Sequence, residues 1–425
     1  MGRSQGDARQ FLEGLFHAAV AAAQPRQSIA RFLPDPPRGR TIVVGAGKGA
    51  AQMARALEDL WPGPLEGIVV TRYGYAAACR RIEVLEAAHP VPDEAGLKGA
   101  ARLLERVAGL TADDLVIALV CGGGSALLPA PPDGFTLEDE IALNEILLAS
   151  GAPISAMNTI RKQFSRIKGG RLAAAAYPAR VVSLLISDIP GDEAAFIASG
   201  PTVADKMTPA DALRAAERYA IALPPAIRAH LETAAGAPSP DDPRLKNTEA
   251  HVIASARVSL EAAANEARKA GVTPVILSDA IEGEAREAGL FHAALALEIE
   301  RRDEPFAAPV VLLSGGETTV TLKGSGKGGR NSEFLLSFAA RIAGSQAISA
   351  LAADTDGIDG SEDNAGAFAD GETVARLAAA GLDVNACLSD NDAWTAFAAI
   401  GGLFAPGPTG TNVNDFRAIL IDRRD

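Results

Sequence analysis

Short apolar runs alternate with longer segments of helical periodicity along the chain. The runs TIVVGA (41–46), LVIALV (115–120) and VVSLLI (181–186) are almost wholly apolar, which is typical of strands buried on both faces of a sheet. Segments such as 94–109 and 282–302 instead repeat apolar residues at the spacing of one helix face. This alternation in both halves predicts an α/β protein of two three-layer α/β/α domains, the N-terminal one Rossmann-like.

A change of composition marks the predicted domain boundary. The chain has 425 residues, which is more than one hydrophobic core ordinarily serves. The segment LETAAGAPSPDDPRLKN (231–247) is rich in proline, glycine and aspartate, as linkers are. We therefore expect an N-terminal domain over residues 1–240 and a C-terminal domain over residues 241–425, with a cleft between them.

The overall charge and the N-terminal segment argue against several classes of protein. The net charge of −13 argues against binding to nucleic acid or to a membrane surface, which requires a basic face. The first 20 residues hold Asp7, Arg9 and Glu13 within an apolar pattern, so they predict an amphipathic helix rather than a signal peptide. No apolar run approaches the roughly 20 residues of a membrane span. Three widely separated cysteines fit the reducing cytoplasm, where we expect the protein: Cys79, Cys121 and Cys387.

A glycine turn with one lysine follows the first predicted buried strand. Gly45, Gly47 and Ala50 give the pattern GxGxxA, and Lys48 lies inside it. A strand, a glycine turn and a helix in this order place phosphates or a catalytic group at the carboxyl edge of a sheet. The spacing is not that of a Walker A loop, and it matches a dinucleotide fingerprint only in part.

A second glycine turn follows the strand at 115–120. Gly122, Gly123 and Gly124 precede Ser125 and a predicted helix. Consecutive glycines allow backbone N–H groups to point toward an anion. The alternative is that these glycines only allow the helix to pack closely on the strand.

A third glycine-rich segment, SGGETTVTLKGSGKGGRNSE (314–333), joins a strand that ends at Glu317 to a helix that begins near Asn331. Its loop combines flexible backbone N–H groups with positive charge. We expect it to bind nucleotide phosphates or a phosphoryl group in transit; a mobile, solvated basic turn is the alternative. The loop residues concerned are Lys323, Gly324, Gly326, Lys327, Gly328, Gly329 and Arg330.

Carboxylates follow the strand at 181–186. Asp188 and Asp192 are placed to hold Mg²⁺ or to accept a hydroxyl proton, and helix capping is the alternative for Asp192. Asn414 lies in a glycine/asparagine turn, where it is either a ligand contact or a residue with left-handed backbone.

The segment 157–176 is predicted to be a basic helix or helix pair. A charged, solvated face is the default interpretation, with one or two of its side chains reaching the site. The five basic residues are Arg161, Lys162, Arg166, Lys168 and Arg171.

These motifs together resemble the class II glycerate kinases, which carry an N-terminal MOFRL-associated domain and a C-terminal MOFRL domain. The resemblance covers nearly the whole chain in the right order. The motifs are GAGKGAAQMA, HPVPDE, CGGGSALL, MNTIRKQFSRIKGGRLA, SDIPGDEAAFIASGPTV, SGGETTVTLKGSGKGGRNSE, DTDGIDGSEDNAGAF and PTGTNVNDF.

The resemblance implies phosphorylation of D-glycerate at its 2-hydroxyl, with ATP and Mg²⁺, to give 2-phosphoglycerate and ADP. The lysine and the arginine important in that family match Lys48 and Arg330. With Asp188 and Asp192 they are the candidate catalytic residues. Small-molecule substrates are the expected partners, and a homodimer is possible. The candidate binding residues are Gly45, Gly47, Gly122, Gly123, Gly124, Ser125, Glu317, Lys327, Gly328, Gly329, Asn331 and Asn414.

Two other functions stay open at this point. A hydroxypyruvate reductase would use the turn at 41–50 to bind a nicotinamide dinucleotide. The next strand ends in Thr71 and Arg72 rather than in an acidic residue, which argues against NAD but tolerates NADP. A non-catalytic sensor of sugar phosphates would keep the glycine loops but would not need the acidic residues.

Overall fold

The computed structural model describes residues 4–423, which divide into two compact units. The first unit comprises residues 25–253, and the second comprises residues 4–24 and 254–423. Helix α1 (Gln5–Ala23) therefore belongs to the second unit. Among the described residues, no helix is both long enough and apolar enough to cross a membrane.

The first unit contains a six-stranded sheet in the order β3-β2-β1-β4-β5-β6. Strand β1 pairs in parallel with β2 and β4, and the β2–β3 and β4–β5 pairs are parallel too. This is the strand order of the doubly wound dinucleotide-binding fold, so the Rossmann-like prediction is confirmed. The strands are β1 (Thr41–Ala46), β2 (Glu66–Arg72), β3 (Ile82–Ala87), β4 (Leu115–Val120), β5 (Arg180–Ile186) and β6 (Thr248–Ala254).

The register of this sheet sets its polar turns at the same level. Ala46 at the end of β1 pairs with Val120 at the end of β4, which in turn pairs with Leu185 of β5. The helices are α2 (Pro25–Ala30), α3 (Ala50–Leu60), α4 (Glu94–Val107), α5 (Gly124–Leu127), α6 (Leu137–Ala149), α7 (Ile154–Gln163), α8 (Arg171–Ala175), α9 (Pro209–Arg218) and α10 (Pro225–Thr233).

The second unit contains a mixed sheet in the order β11-β10-β9-β12-β8-β7. Its β7–β8 pair is parallel, whereas the β8–β12, β12–β9, β9–β10 and β10–β11 pairs are antiparallel. Asp415 at the start of β12 pairs with Gly316 of β8 and with Asp354 at the end of β9. The strands are β7 (Thr273–Glu284), β8 (Val310–Thr319), β9 (Ile348–Asp354), β10 (Gly366–Asp370), β11 (Leu403–Phe404) and β12 (Asp415–Ile421).

Helices cover both faces of the second sheet, so the three-layer prediction is confirmed. Helices α12 and α13 share a hydrophobic core with one face, and α1 and α11 share a core with the other. The helices that follow α10 are α11 (Ala256–Lys269), α12 (Ala285–Arg302), α13 (Arg330–Arg341), α14 (Thr373–Ala379), α15 (Val384–Ser389) and α16 (Ala393–Ala399).

The structure divides the chain differently from the prediction of domains at 1–240 and 241–425. Helix α1 joins the second unit because its apolar face is needed there: Phe16 is fully buried and packs edge to face on Phe404 and Phe416. Burial of a phenylalanine contributes about 1.5–3 kcal/mol. The boundary near residue 240 moves to 253/254 because β6 adds to the sheet of the first unit.

Candidate functional site

The turn after β1 is fixed against the turn after β4. The N–H of Gly47 donates to the carbonyl oxygen of Val70 (3.1 Å), and the N–H of Lys48 donates to that of Gly122 (2.8 Å). Gly47 has a φ of +142°, and a Cβ there would lie 2.3 Å from Cys121 Sγ, so a larger residue does not fit. The half-buried side chain of Lys48 therefore starts from a rigid turn at the carboxyl edge of the sheet.

The CGGGS turn (121–125) leaves several backbone donors open. Gly123 has a left-handed backbone with φ of +80°, and the N–H of Gly124 donates to Cys121 O (3.3 Å). Within residues 4–423, the N–H groups of Gly122, Gly123 and Ser125 have no protein acceptor. Open N–H groups from nearby residues are the donors that phosphate oxygens bind in anion sites.

Lys48 and His89 lie beside this turn. The position that a Cβ of Gly123 would take lies 3.2 Å from Lys48 Cγ and 3.0 Å from His89 Nε2. Lys48 makes no ion pair within the described part of the chain. Burial lowers the pKa of His89, and the nearby charges of Lys48 and Arg72 lower it further, so these surroundings favour the neutral ring.

His89 and Arg72 were not among the predicted site residues. His89 follows β3 and Arg72 ends β2. Arg72 could have been identified from its position at the end of a predicted strand, because parallel strands place the side chains at their carboxyl ends along one edge of the sheet. His89 follows β3, a strand that the sequence pattern did not predict.

The two candidate aspartates after β5 differ in their surroundings. A Cβ on Gly122 would lie 1.8 Å from Asp188 Oδ2, so the Asp188 carboxylate occupies the space that this glycine leaves. Asp192 has a left-handed φ of 53° in a turn, and its side chain makes no hydrogen bond to another described residue. The structure therefore brings Asp188, but not Asp192, into contact with the glycine turns.

The basic segment 157–176 is not a solvated face, contrary to its default interpretation. Lys162 and Lys168 are 0% and 2% exposed. Lys162 Nζ contacts Asp205 Oδ2, and Lys168 Nζ lies 2.7 Å from Glu140 Oε1. Buried ammonium groups need such partners because desolvation of an unpaired charge is costly.

In the second unit, Arg330 is surrounded by carboxylates. Its Nε donates to Asp415 Oδ1 (2.6 Å), its Nη2 to Asp354 Oδ2 (2.7 Å) and its Nη1 to Glu317 Oε1 (3.2 Å). Burial acts to lower the pKa of Arg330, but the charges of Asp415, Asp354 and Glu317 outweigh it and raise the pKa. The guanidinium therefore stays charged and holds together an acidic cluster that would otherwise repel itself.

The glycine-rich loop at 323–329 differs from the predicted phosphate cradle. The N–H groups of Lys323 and Gly324 donate to Asn391 Oδ1, and that of Ser325 donates to Asp390 Oδ1. The N–H of Gly326 donates to Asp390 O, that of Lys327 to Asp392 Oδ1 and that of Gly329 to Ser332 Oγ. These donors are occupied because the turn at 390–392 supplies acceptors next to them.

The glycines of this loop allow the close approach of other protein groups. A Cβ would lie 2.2 Å from Asp390 Oδ1 at Gly324 and 2.4 Å from Asp392 Cβ at Gly326. Gly328 has a φ of +151°. Lys327 Nζ lies 3.4 Å from Glu362 Oε2. A role for Gly328 and Lys327 in ligand binding stays a prediction.

The start of α13 already binds an internal carboxylate. The N–H groups of Asn331 and Ser332 donate to Asp359 Oδ1 (2.9 Å) and Oδ2 (2.8 Å). Asn331 is fully buried and its Nδ2 donates to Asp415 Oδ1 (2.9 Å). Asn414 has a left-handed φ of 65°, which agrees with its interpretation as a turn residue.

The chain is similar to two family models and to known proteins. The model of a family described as "Domain of unknown function (DUF4147)" matches residues 11–232, and the MOFRL family model matches residues 310–415. A "Putative hydroxypyruvate reductase" of Agrobacterium vitis is 53% identical over 97% of this chain and 94% of that protein. A glycerate 2-kinase of Pyrococcus horikoshii is 43% identical over 90% of this chain and 88% of that protein. A crystal structure of glycerate kinase from Thermotoga maritima matches with a TM-score of 0.89 and 37% identity, over 97% of this chain and 99% of that chain.

Proposed function

The chain belongs to the class II glycerate kinases, and we propose that it transfers the terminal phosphoryl group of ATP to the 2-hydroxyl of D-glycerate. The products are 2-phosphoglycerate and ADP. The main structural support is the position of Lys48. Its side chain has no ion pair within residues 4–423 and lies beside the open N–H groups of the CGGGS turn.

Phosphoryl transfer needs positioning and compensation of negative charge more than it needs covalent chemistry. In the first unit, the N–H groups of Gly122, Gly123 and Ser125 are donors for phosphate oxygens, and Lys48 supplies a full positive charge at the same turn. His89 adds a neutral ring nitrogen without adding a further cation, because its pKa is lowered. These groups are held by backbone contacts between the two turns, so little reorganisation is needed when an anion binds.

The residues present fit a magnesium ion that is shared with phosphates. Among the described residues, no group of three histidine, cysteine or acidic side chains is arranged to hold a metal ion. Mg²⁺ is usually bound through one or two carboxylates together with substrate phosphates and water. Asp188, at the glycine turn, is the carboxylate that would hold it, and the ion would neutralise phosphate charge. Asp192 stays a weaker candidate for the same role.

Arg330 is proposed as the second catalytic cation. About a quarter of its side chain is exposed, so part of the guanidinium is reachable while the rest is fixed by carboxylates. A planar guanidinium suits a phosphoryl or carboxylate group. The predicted cleft between the domains stays a prediction.

The experiment that tests this function is phosphorus NMR of the purified protein with ATP, Mg²⁺ and D-glycerate. We expect a new phosphomonoester that enolase consumes directly, which identifies 2-phosphoglycerate. A product that enolase accepts only after a mutase would show transfer to the 3-hydroxyl instead, and the absence of any phosphoester would contradict the proposal.

Reduction of hydroxypyruvate is the second candidate function, because two relatives from Agrobacterium vitis are named "Putative hydroxypyruvate reductase" and the first sheet has the dinucleotide-binding strand order. The acidic residue that binds the ribose of NAD in that fold is absent at the end of β2, where Arg72 stands. A parallel absorbance assay with NAD(P)H and hydroxypyruvate separates the two functions. Oxidation of NAD(P)H without phosphoester formation would favour the reductase.

A further inference from the structure

Arg161 differs from Lys162, Arg166 and Lys168 of the segment 157–176, which make ion pairs. Its Nε donates to Asn144 Oδ1 (2.8 Å) and its Nη1 to Asn158 Oδ1 (3.2 Å). Within residues 4–423 it makes no ion pair, and its Nη2 has no acceptor. Lys162 pairs with Asp205, Lys168 with Glu140 and Arg166 with Asp133. Arg171 also makes no ion pair within residues 4–423, but it donates to the carbonyl oxygens of Lys162 and Lys168.

The partly buried surroundings of Arg161 are unfavourable for a cation without a counter-ion. The residue is half-buried, and desolvation lowers the pKa of its guanidinium, although Glu140 at longer range acts in the opposite direction. A half-buried guanidinium that bonds only to neutral amides lacks the counter-ion that normally offsets desolvation. An anionic ligand would supply that counter-ion.

A line of hydrogen bonds connects Arg161 to the CGGGS turn. Asn158 Oδ1, which accepts from Arg161, also accepts from Ser199 Oγ (3.4 Å). Ser199 Oγ lies 2.9 Å from Ser125 Oγ. The Nδ2 group of Asn158 donates to no described residue. Guanidinium, amide and hydroxyl groups are all donors, which is the set that a carboxylate requires.

The backbone around Ser199 is held in an unusual conformation that presents this hydroxyl. Ala198, Ser199 and Gly200 are consecutive left-handed residues with φ of 50°, 60° and 59°. The N–H groups of Gly169 and Gly170 donate to the carbonyl oxygens of Ser199 and Gly200 (3.0 and 2.7 Å) and so hold the conformation. Left-handed backbone at residues other than glycine is unfavourable and recurs at functional sites.

We propose that Arg161, Asn158, Ser199 and Ser125 form the subsite that binds the carboxylate of the hydroxy-acid substrate. The subsite rests on the proposed kinase function and deepens it: it selects a carboxylate-bearing acceptor over an uncharged polyol or amide of the same shape. The open N–H groups of the CGGGS turn and Lys48 are left for the phosphoryl group. Ser125 takes part in both groups of donors, because its hydroxyl belongs to the carboxylate subsite and its N–H is one of the open donors of the CGGGS turn.

The test compares Arg161→Gln with Arg166→Gln, a control that removes the same charge from a more exposed position of the same segment. Titration calorimetry measures the binding of D-glycerate and of its uncharged amide to each protein. We expect Arg161→Gln to weaken D-glycerate binding about 100-fold, because a charge pair that is partly desolvated loses one partner. Binding of the amide should change much less, and Arg166→Gln should resemble the wild type.

A second variant keeps the test decisive if Arg161→Gln folds poorly. Asn158→Asp places a carboxylate against Arg161 and supplies an internal counter-ion, so the fold should be at least as stable while D-glycerate binding is lost. Equal binding of D-glycerate by Asn158→Asp and the wild type would overturn the subsite. Equal losses for D-glycerate and its amide in Arg161→Gln would also overturn it, because a structural role predicts that result.

The outcome also separates this inference from the function on which it rests. Absence of phosphoester formation by the wild-type protein would contradict the kinase proposal itself. Normal phosphorylation of D-glycerate by the wild type, together with an unchanged KM for D-glycerate in Arg161→Gln, would refute only the subsite.

Discussion

The two glycine-rich turns CGGGS (121–125) and LKGSGKGG (322–329) look alike in sequence and differ in the folded protein. In the first, the N–H groups of Gly122, Gly123 and Ser125 have no acceptor within the described residues. In the second, the N–H groups of six residues bond to protein acceptors, most of them in the turn at 390–392. The backbone of a glycine-rich turn is therefore able to bind an anion only where the fold leaves its N–H donors unoccupied.

The charged groups around the two turns also differ in how fully they are paired within the protein. Near the CGGGS turn, burial lowers the pKa of His89, and the charges of Lys48 and Arg72 lower it further. In the second unit, Arg330 forms ion pairs with three carboxylates. We therefore expect an anion to bind in the first region, where Lys48 has no ion pair within residues 4–423, rather than in the second, where Arg330 is already paired.

Removal of the Lys48 charge should abolish most activity without loss of stability. We expect Lys48→Met to lower kcat about a thousandfold, as for other cations that contact a phosphoryl group, while the thermal midpoint stays unchanged because Lys48 makes no ion pair in residues 4–423. Steady-state kinetics and thermal unfolding measure both. Lys98→Met, on the exposed surface of α4, is the control, and near-normal turnover of Lys48→Met would contradict the assignment.

Removal of the Arg330 charge should lower activity and stability together. Arg330→Met should reduce kcat about a thousandfold and also reduce the free energy of unfolding by about 3 kcal/mol, because buried Asp415 and Asp354 lose a partner. Denaturant unfolding beside kinetics checks this. A fully stable Arg330→Met protein would show that the acidic cluster does not depend on the arginine.

Alanine in the two turns should have opposite consequences. Gly123→Ala adds a Cβ 3.0 Å from His89 Nε2 at a φ of +80°, and we expect a loss of turnover of about 100-fold. Gly326→Ala places a Cβ 2.4 Å from Asp392 Cβ, and we expect about 1–3 kcal/mol of destabilisation by overpacking. Turnover per folded molecule should persist in Gly326→Ala; if it falls as far as in Gly123→Ala, the loop at 323–329 contacts substrate after all.

The smallest expected effect is on the titration of His89. Its pKa lies below the usual 6.5 because of burial and then the charges of Lys48 and Arg72. The folded state therefore prefers the neutral ring, and stability from this group is present above pH 6.5 and declines as the pH falls through the lowered pKa. NMR titration should show the midpoint moving upward in Lys48→Met, whereas Lys98→Met should leave it in place.

The arrangement of strands and the chemical class of the site follow from local patterns. Buried runs such as 115–120 are apolar at every position, and only a sheet covered on both faces accepts them. The glycines before Ser125 are required by the turn in which they lie, and Lys48 is found in the sequence by its place next to Gly47. For these elements the information is local, so the sequence is sufficient.

Tertiary structure decided which of these groups are available to a ligand. Helix α1 lies more than 200 residues from α11 in sequence but shares a hydrophobic core with it, and no local pattern indicates which sheet an amphipathic helix covers. The backbone N–H groups of the loop at 323–329 donate hydrogen bonds to a turn about 65 residues away. Arg161 lacks an ion pair within the described residues, although its neighbours Lys162 and Lys168 are paired. Hydrogen bonding and ion pairing depend on distances of a few ångströms between remote residues, and those distances exist only once the chain has folded.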